Sequence, residues 1–255
     1  MVFLTFRKTG QLRYEWRRVV SLRSTWIMVS VALFAAISVG YGTTVSSGGL
    51  QPDTQQILIT GVSWPVLIPI AVLAIQSFGH DYRYGTLVPF LLSFPRRWET
   101  FFVKFAVTVA ICTGVLALCL VCLLLLSSTY SQAAPSADNP WHVIGRALTA
   151  GACIFAIFAC SVAVTRSYVL GPSVALGWAL AGELMLPVVF GEGAEIRWWA
   201  APFTAAREYA AAALAIDPLY PPPTQHEYLV ILLLWVGLLI GCAAYRFNSH
   251  SVHTS

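Results

Sequence analysis

Side chains that could carry out chemistry are few in this sequence. All five histidines fall in predicted loops or in the tail, and the chain contains no HExxH, no GxSxG and no pair of intramembrane aspartates. Those patterns supply the metal ion or the nucleophile of common hydrolases. The lysines, Lys8 and Lys104, lie outside any glycine pattern of a phosphate-binding loop. We therefore expect no catalytic residue, no metal site and no nucleotide site in this chain.

One ionisable residue, Glu183, lies well inside a predicted membrane span. A charge in hydrocarbon costs a few kcal/mol, so this carboxyl should face protein or a water-filled path. Gly171, Ala175 and Ala179 precede it at steps of four residues, and small side chains at that spacing favour close helix contact. Two interpretations stay open. Glu183 either makes a structural helix contact or belongs, with Trp64, to a translocation path.

The composition places most of the chain in lipid. Of the 255 residues, 58% are hydrophobic and only 10% are charged, whereas a soluble domain carries about 25% charged residues. Six apolar runs each provide the roughly 20 residues that cross a bilayer as a helix. We expect a single all-α transmembrane domain over residues 1–255, with six spans at Thr25–Thr44, Gln56–Phe78, Phe101–Leu126, Val143–Val164, Val169–Phe190 and Tyr228–Tyr245.

The segment before the first span, residues 1–23, is predicted to be an amphipathic interfacial helix. Leu12, Trp16, Val19 and Val20 fall on one face, whereas arginines lie around the other. Such a helix lies in the headgroup region with its basic side toward anionic lipid. The residues assigned to this role are Glu15, Trp16, Arg17 and Arg18.

The distribution of charge predicts the orientation. With the N-terminus inside, all but three of the fifteen basic residues lie on the inner side, and most acidic residues lie outside. The positive-inside rule therefore places both termini in the cytoplasm. Residues 191–227 then form an outer segment with an alanine-rich stretch and aromatic neighbours. We expect this segment to re-enter the outer leaflet as helix.

The loop between the second and third spans, residues 79–100, carries the most specific pattern. The stretch from Phe78 to Phe105 reads FGHDYRYGTLVPFLLSFPRRWETFFVKF. It resembles the stretch after the second span in ABC-2 type permeases, the membrane subunits of type V ABC exporters. In that family an acidic residue, an aromatic residue and an arginine lead into Gly-Thr-Leu, and a basic pair precedes the lysine that opens the third span. Asp81 stands where glutamate is common.

Two other segments extend the resemblance over the chain. The segment RYEWRRVVSLRSTW looks like the basic interfacial helix that precedes the family's first span. The sequence Ala201-Pro202-Phe203 is similar to the turn before the family's outer re-entrant helices.

The resemblance implies a permease without its own motor. Two permease chains, identical or homologous, would each rest on a separate ABC ATPase that binds ATP and Mg²⁺, and the loop would enter the ATPase as a coupling helix. Asp81 and Arg83 would contact the ATPase, or would hold each other and the inner helix end. The residues assigned to coupling are Asp81, Tyr82, Arg83, Tyr84, Gly85, Thr86 and Leu87.

The expected function is ATP-driven export of an amphipathic substrate across a bacterial plasma membrane. A drug, a peptide antibiotic or a lipid-like compound would fit, which suggests a role in antibiotic resistance. The expected partners are the ATPase, a second permease and membrane lipid, and not nucleic acid. An ion-coupled secondary carrier and a non-transporting scaffold or immunity protein are the alternatives.

Overall fold

The computed structural model describes residues 2–46, 54–84, 97–130, 139–190, 199–211 and 224–248. These residues are helical almost throughout, and no strand occurs among them. A 3-10 turn, Thr60–Val62, follows the helix Thr54–Ile59, and a π-helical turn, Trp178–Gly182, follows the helix Leu170–Gly177. The α-helices are α1 (Val2–Ser21), α2 (Arg23–Ser46), α3 (Thr54–Ile59), α4 (Trp64–Tyr84), α5 (Arg97–Tyr130), α6 (Pro140–Thr165), α7 (Leu170–Gly177), α8 (Glu183–Phe190), α9 (Pro202–Ala211) and α10 (Gln225–Asn248).

Within this described part, five helices are long and apolar enough to cross a membrane. The prediction of an all-α fold is thereby confirmed for these residues, and the five helices fit a multi-pass membrane protein. The run predicted as the fifth of six spans has a different construction, because α7, the π-helical turn and α8 follow one another there, and its apolar stretch Leu170–Gly182 is shorter. The candidate spans are Arg23–Val45, Gln56–Tyr84, Trp98–Thr129, Pro140–Thr165 and His226–Asn248.

Helices α4 and α6 form the centre of the bundle. Most of their apolar length is buried, whereas only about a fifth of the apolar length of α2 and α10 is buried. The exposed side chains include Ile27 and Phe34 on α2 and Leu234 and Leu238 on α10. Large apolar side chains in such numbers on the outside of a helix bundle are compatible with lipid and not with water.

The turn between α6 and α7 is compact. Arg166 adopts the left-handed conformation, with φ 54°, and its amide donates to the carbonyl of Val162, which closes α6. Its guanidinium donates to the carbonyl of Arg246 at the end of α10. Gly171 begins the return of α7 along α6, and a Cβ at that position would lie 2.6 Å from the carbonyl oxygen of Ser161. Only glycine permits this close approach.

Candidate functional site

Four ionisable side chains from three helices meet at one end of the bundle. They are Glu15 and Arg18 of α1, Asp81 in the last turn of α4, and Lys104 in the second turn of α5, and we call them the ion cluster. The four-residue spacing of Gln11, Glu15 and Val19 puts these three buried side chains on the face of α1 that packs on α5.

Asp81 is the centre of the ion cluster and is only 3% exposed. Arg18 Nη2 lies 3.0 Å from Asp81 Oδ1, and Lys104 Nζ donates to Asp81 Oδ2. Arg18 Nη2 also donates to the carbonyl oxygen of Ser77 at 2.9 Å. Lys104 is fully buried and its ammonium lies 5.1 Å from the ring centroid of Phe78. Such buried charges are tolerated because they are paired and hydrogen-bonded.

Glu15 is the least satisfied member of the ion cluster. Its side chain is 1% exposed, and Arg18 Nη1 lies 3.4 Å from Oε2. Oε2 is nevertheless buried without a hydrogen bond among the described residues. Burial raises the pKa of Glu15, and the charge of Asp81 acts in the same direction, whereas Lys104 and Arg18 oppose the rise.

Two neutral hydrogen bonds reinforce the same junction. Gln11 Nε2 donates to Thr100 Oγ1 at 3.0 Å, which joins α1 to α5. The hydroxyls of Ser77 and Thr108 lie 2.6 Å apart and join α4 to α5. Together with the ion cluster, these bonds fasten α1, the end of α4 and the start of α5 to one another.

The four residues assigned to the interfacial helix divide between two faces of α1. Trp16 and Arg17 are exposed, as an interfacial helix requires. Glu15 and Arg18 instead point into the bundle, where their partners are protein charges and not lipid headgroups. Of the predicted apolar stripe, Leu12 and Trp16 are half exposed and so available to lipid, whereas Val19 is buried against Val107 and Ile111 of α5.

The residues assigned to coupling also separate. Asp81 is buried in the ion cluster, with Arg18 and Lys104 as partners and not Arg83. Tyr82 is partly buried, whereas Arg83 and Tyr84 are exposed. Gly85, Thr86 and Leu87 lie outside the described residues.

The sequence patterns did not predict five members of this junction: Lys104, Gln11, Thr100, Ser77 and Thr108. A signal for Lys104 was present, since a charged residue four positions into an apolar run calls for a buried partner.

At the other end of the bundle, Glu183 binds the start of α9. Its Oε1 accepts from the amide of Phe203 at 2.8 Å, and its Oε2 accepts from the amide and the hydroxyl of Thr204 at 2.6 and 2.7 Å. Ala201 precedes α9 and has no side-chain acceptor, so the free N–H groups of the first turn depend on a carboxylate from another helix. We call this contact the Glu183 cap.

Trp64 lies beside the Glu183 cap. Its ring centroid is 5.8 Å from that of Phe203, whose ring also contacts Phe158 at 5.5 Å. The structure therefore brings the two residues assigned to a translocation path to the same short helix. Since Trp64 and Asp81 occupy opposite ends of α4, about 25 Å apart at 1.5 Å per residue, this aromatic group is remote from the ion cluster.

The saturation of the Glu183 carboxylate by three donors favours the structural interpretation of this residue. No group of three or more His, Cys, Asp and Glu side chains in the described ranges could hold a metal ion.

Comparison with known proteins adds no family assignment. No protein-family model matches the sequence, and a search of the curated proteins gives no match. The resemblance to ABC-2 type permeases therefore depends on the sequence motifs quoted above.

Proposed function

We propose that this chain is the permease subunit of an ATP-driven ABC exporter, with six spans and two copies per complex, each on a separate ATPase. The complex would move an amphipathic substrate outward across a bacterial plasma membrane. The observation that carries the proposal is the position of the ion cluster. It lies at the base of the loop whose sequence resembles the family's coupling loop, because the chain leaves α4 at Tyr84 and enters α5 at Arg97.

A loop can transmit motion only if the helix ends on either side of it follow. Here Arg18 holds the end of α4 to α1 through Asp81, and Gln11 holds the start of α5 to α1 through Thr100. Lys104 joins the two ends to each other through Asp81. Removing one partner of a buried ion pair costs about 3–5 kcal/mol, so separating these ends by force is unfavourable. A push by an ATPase on the loop would therefore displace α1, α4 and α5 together, as a rigid-body step requires.

The opposite end supports the choice of an amphipathic substrate. Trp64, Phe158 and Phe203 form an aromatic group around the start of α9, and aromatic surfaces accept apolar bodies while tolerating polar ends. In the proposed topology α9 belongs to the outer re-entrant segment. The Glu183 cap would hold that segment against the bundle.

The test is reconstitution of the chain with a candidate ABC ATPase, sought among the genes adjacent to its own, in vesicles that report the movement of a fluorescent amphiphile. Transport should require ATP and both proteins. The variant Gln11→Leu removes the neutral hydrogen bond between α1 and α5 without changing a charge. It should therefore keep the ATPase bound while lowering transport. Arg13→Gln, on the exposed side of α1, is the matched control and should transport normally.

Two results would contradict the proposal, and a third would limit it. Transport that persists without the ATPase and collapses with the ion gradient would indicate a secondary carrier. Absence of transport and of any ATPase complex would favour a scaffold. Normal transport by Gln11→Leu with the ATPase bound would remove the coupling role of the α1 junction while leaving the exporter assignment intact.

A further inference from the structure

A cavity lies near the ion cluster, between the bend that joins α1 to α2, the end of α4 and the turn before α7. Its volume is about 270 Å³, and the described residues that line it include Ser24, Gln76, His80, Arg83 and Tyr168. Pockets for drug-sized ligands measure about 300–1,000 Å³. This cavity is therefore better matched to a small polar group than to a whole amphiphile.

Arg83 gives the cavity its charge. Its guanidinium lies 5.5 Å from the ring centroid of Tyr84 and 5.6 Å from that of Tyr168. Stacking on aromatic rings fixes a guanidinium while leaving its in-plane N–H donors available, and those donors match phosphate oxygens in geometry. Among the described residues, Arg83 has these ring contacts and no hydrogen-bond acceptor.

Two further groups complete the polar lining. The His80 ring packs on Tyr84, with centroids 4.4 Å apart, and it can donate a hydrogen bond to an anion. Gln76 Oε1 is buried without a hydrogen-bond partner among the described residues. A buried acceptor left unpaired costs stability, so a ligand with a hydroxyl donor would satisfy it.

Four charged side chains lie around His80: the cations Arg18, Arg83 and Lys104, and the carboxylate of Asp81. Arg18 and Lys104 face Asp81 and Glu15 in the ion cluster, so these charges offset one another. Arg83 is therefore the cation that can act on an anion in the cavity.

The cavity lies where the candidate span of α2 begins and that of α4 ends. Trp26, just after the bend, is 59% exposed and donates from Nε1 to the carbonyl oxygen of Val20. Tyr84, at the end of α4, is also 59% exposed. Exposed Trp and Tyr side chains at the ends of spans mark the membrane–water interface, and basic pockets between spans at that level bind anionic headgroups.

We propose that this cavity binds the headgroup of one anionic phospholipid of the phosphatidylglycerol type. Arg83 and His80 would donate to the phosphate, and a headgroup hydroxyl would donate to Gln76 Oε1. In the orientation proposed above, the lipid belongs to the inner leaflet. The assignment is independent of the transport proposal, because it concerns binding and not movement.

The test is native mass spectrometry of the full chain, delipidated in detergent and titrated with phosphatidylglycerol. One lipid should bind more tightly than the rest, and phosphatidylcholine with the same acyl chains should not compete for it. Arg83→Gln should weaken this site about tenfold, the loss expected for one charge-assisted hydrogen bond. Arg23→Gln removes an exposed arginine at the start of α2 and should leave the affinity unchanged.

A second variant keeps the proposal testable if Arg83→Gln folds poorly. Gln76→Leu removes the unpaired acceptor at nearly constant volume, so it should fold at least as well as the wild type. It should weaken phosphatidylglycerol several-fold while leaving phosphatidic acid, which lacks the headgroup hydroxyls, unaffected.

Equal binding of phosphatidylglycerol and phosphatidylcholine would overturn the proposal, and so would equal losses in Arg83→Gln and Arg23→Gln. An unchanged affinity in Gln76→Leu would remove the hydroxyl contact. Displacement of the lipid by inorganic phosphate at similar concentration would assign the cavity to a soluble phosphate and overturn the lipid assignment.

Discussion

Replacing Glu183 by glutamine should lower the unfolding free energy of the protein by about 2 kcal/mol. The carboxylate accepts three hydrogen bonds, from the amide of Phe203 and from the amide and hydroxyl of Thr204. Glutamine keeps one acceptor oxygen, which can serve both Thr204 donors, but its NH₂ group then faces the Phe203 amide. One charge-assisted bond is lost, and such a bond contributes about 1.5–3 kcal/mol.

Two other substitutions at the same position extend the series. Glu183→Ala removes all three bonds and leaves two backbone N–H groups without an acceptor, so it should cost about 4 kcal/mol, at about 1–3 kcal/mol for each unsatisfied group. Glu183→Lys brings a cation to the positive end of α9. It should prevent assembly altogether.

The assay is reversible denaturation of the purified protein in mixed detergent micelles, with Glu227→Gln as the matched control. Glu227 Oε2 also accepts a backbone N–H at a helix start, that of Thr224 at 2.6 Å, but the residue is exposed. Glutamine replaces glutamate well in such a capping box, so the control should change stability by less than about 0.5 kcal/mol. The reasoning fails if Glu183→Gln is no less stable than Glu227→Gln, or if alanine at position 183 is no worse than glutamine.

Three further predictions concern the rest of the bundle. Asp81→Asn should destabilise the protein by about 3–5 kcal/mol, because it leaves the buried lysine beside it uncompensated; the same denaturation assay would contradict this with a loss below 1 kcal/mol. The pKa of Glu15 is raised above its ordinary value of 4.5 in the folded state. The stability that the protonated carboxyl contributes is therefore fully present below pH 4.5 and is lost as pH rises through the raised pKa. Glu15→Gln cannot ionise, so it should match the wild type at low pH and become more stable than the wild type as pH rises. A stability difference that does not change with pH would refute the raised pKa. Gly171→Ala should cost about 1–3 kcal/mol, because its Cβ would lie 2.6 Å from the Ser161 carbonyl oxygen, whereas the control Gly177→Ala, with open space at its Cβ, should be neutral in melting experiments.

The sequence alone determined that the chain is surrounded by lipid and that it is helical. A charged fraction of 10% and long apolar runs permit few structures other than membrane helices, because a helix satisfies its backbone hydrogen bonds within one segment. The run at Val169–Phe190 shows the limit of this local reasoning. Its hydrophobicity predicts a single span, but the π-helical turn Trp178–Gly182 divides it just before Glu183.

The tertiary structure decided which polar residues face one another. In α1 the periodicity of apolar residues marks Leu12 and Trp16 but not the inward turn of Glu15 and Arg18, which depends on partners far along the chain. Arg18 and Asp81 are 63 residues apart. The pattern of residues within one helix does not show which residues of a distant helix will lie beside it.

For Glu183, too, the sequence predicted one property and the packing of helices decided another. Its isolation in an apolar run predicted a buried partner but not its identity, because the partner is the uncapped first turn of a helix 20 residues further on. The need for a partner follows from the local cost of burying a charge. The partner itself is fixed only when packing brings the two helices together.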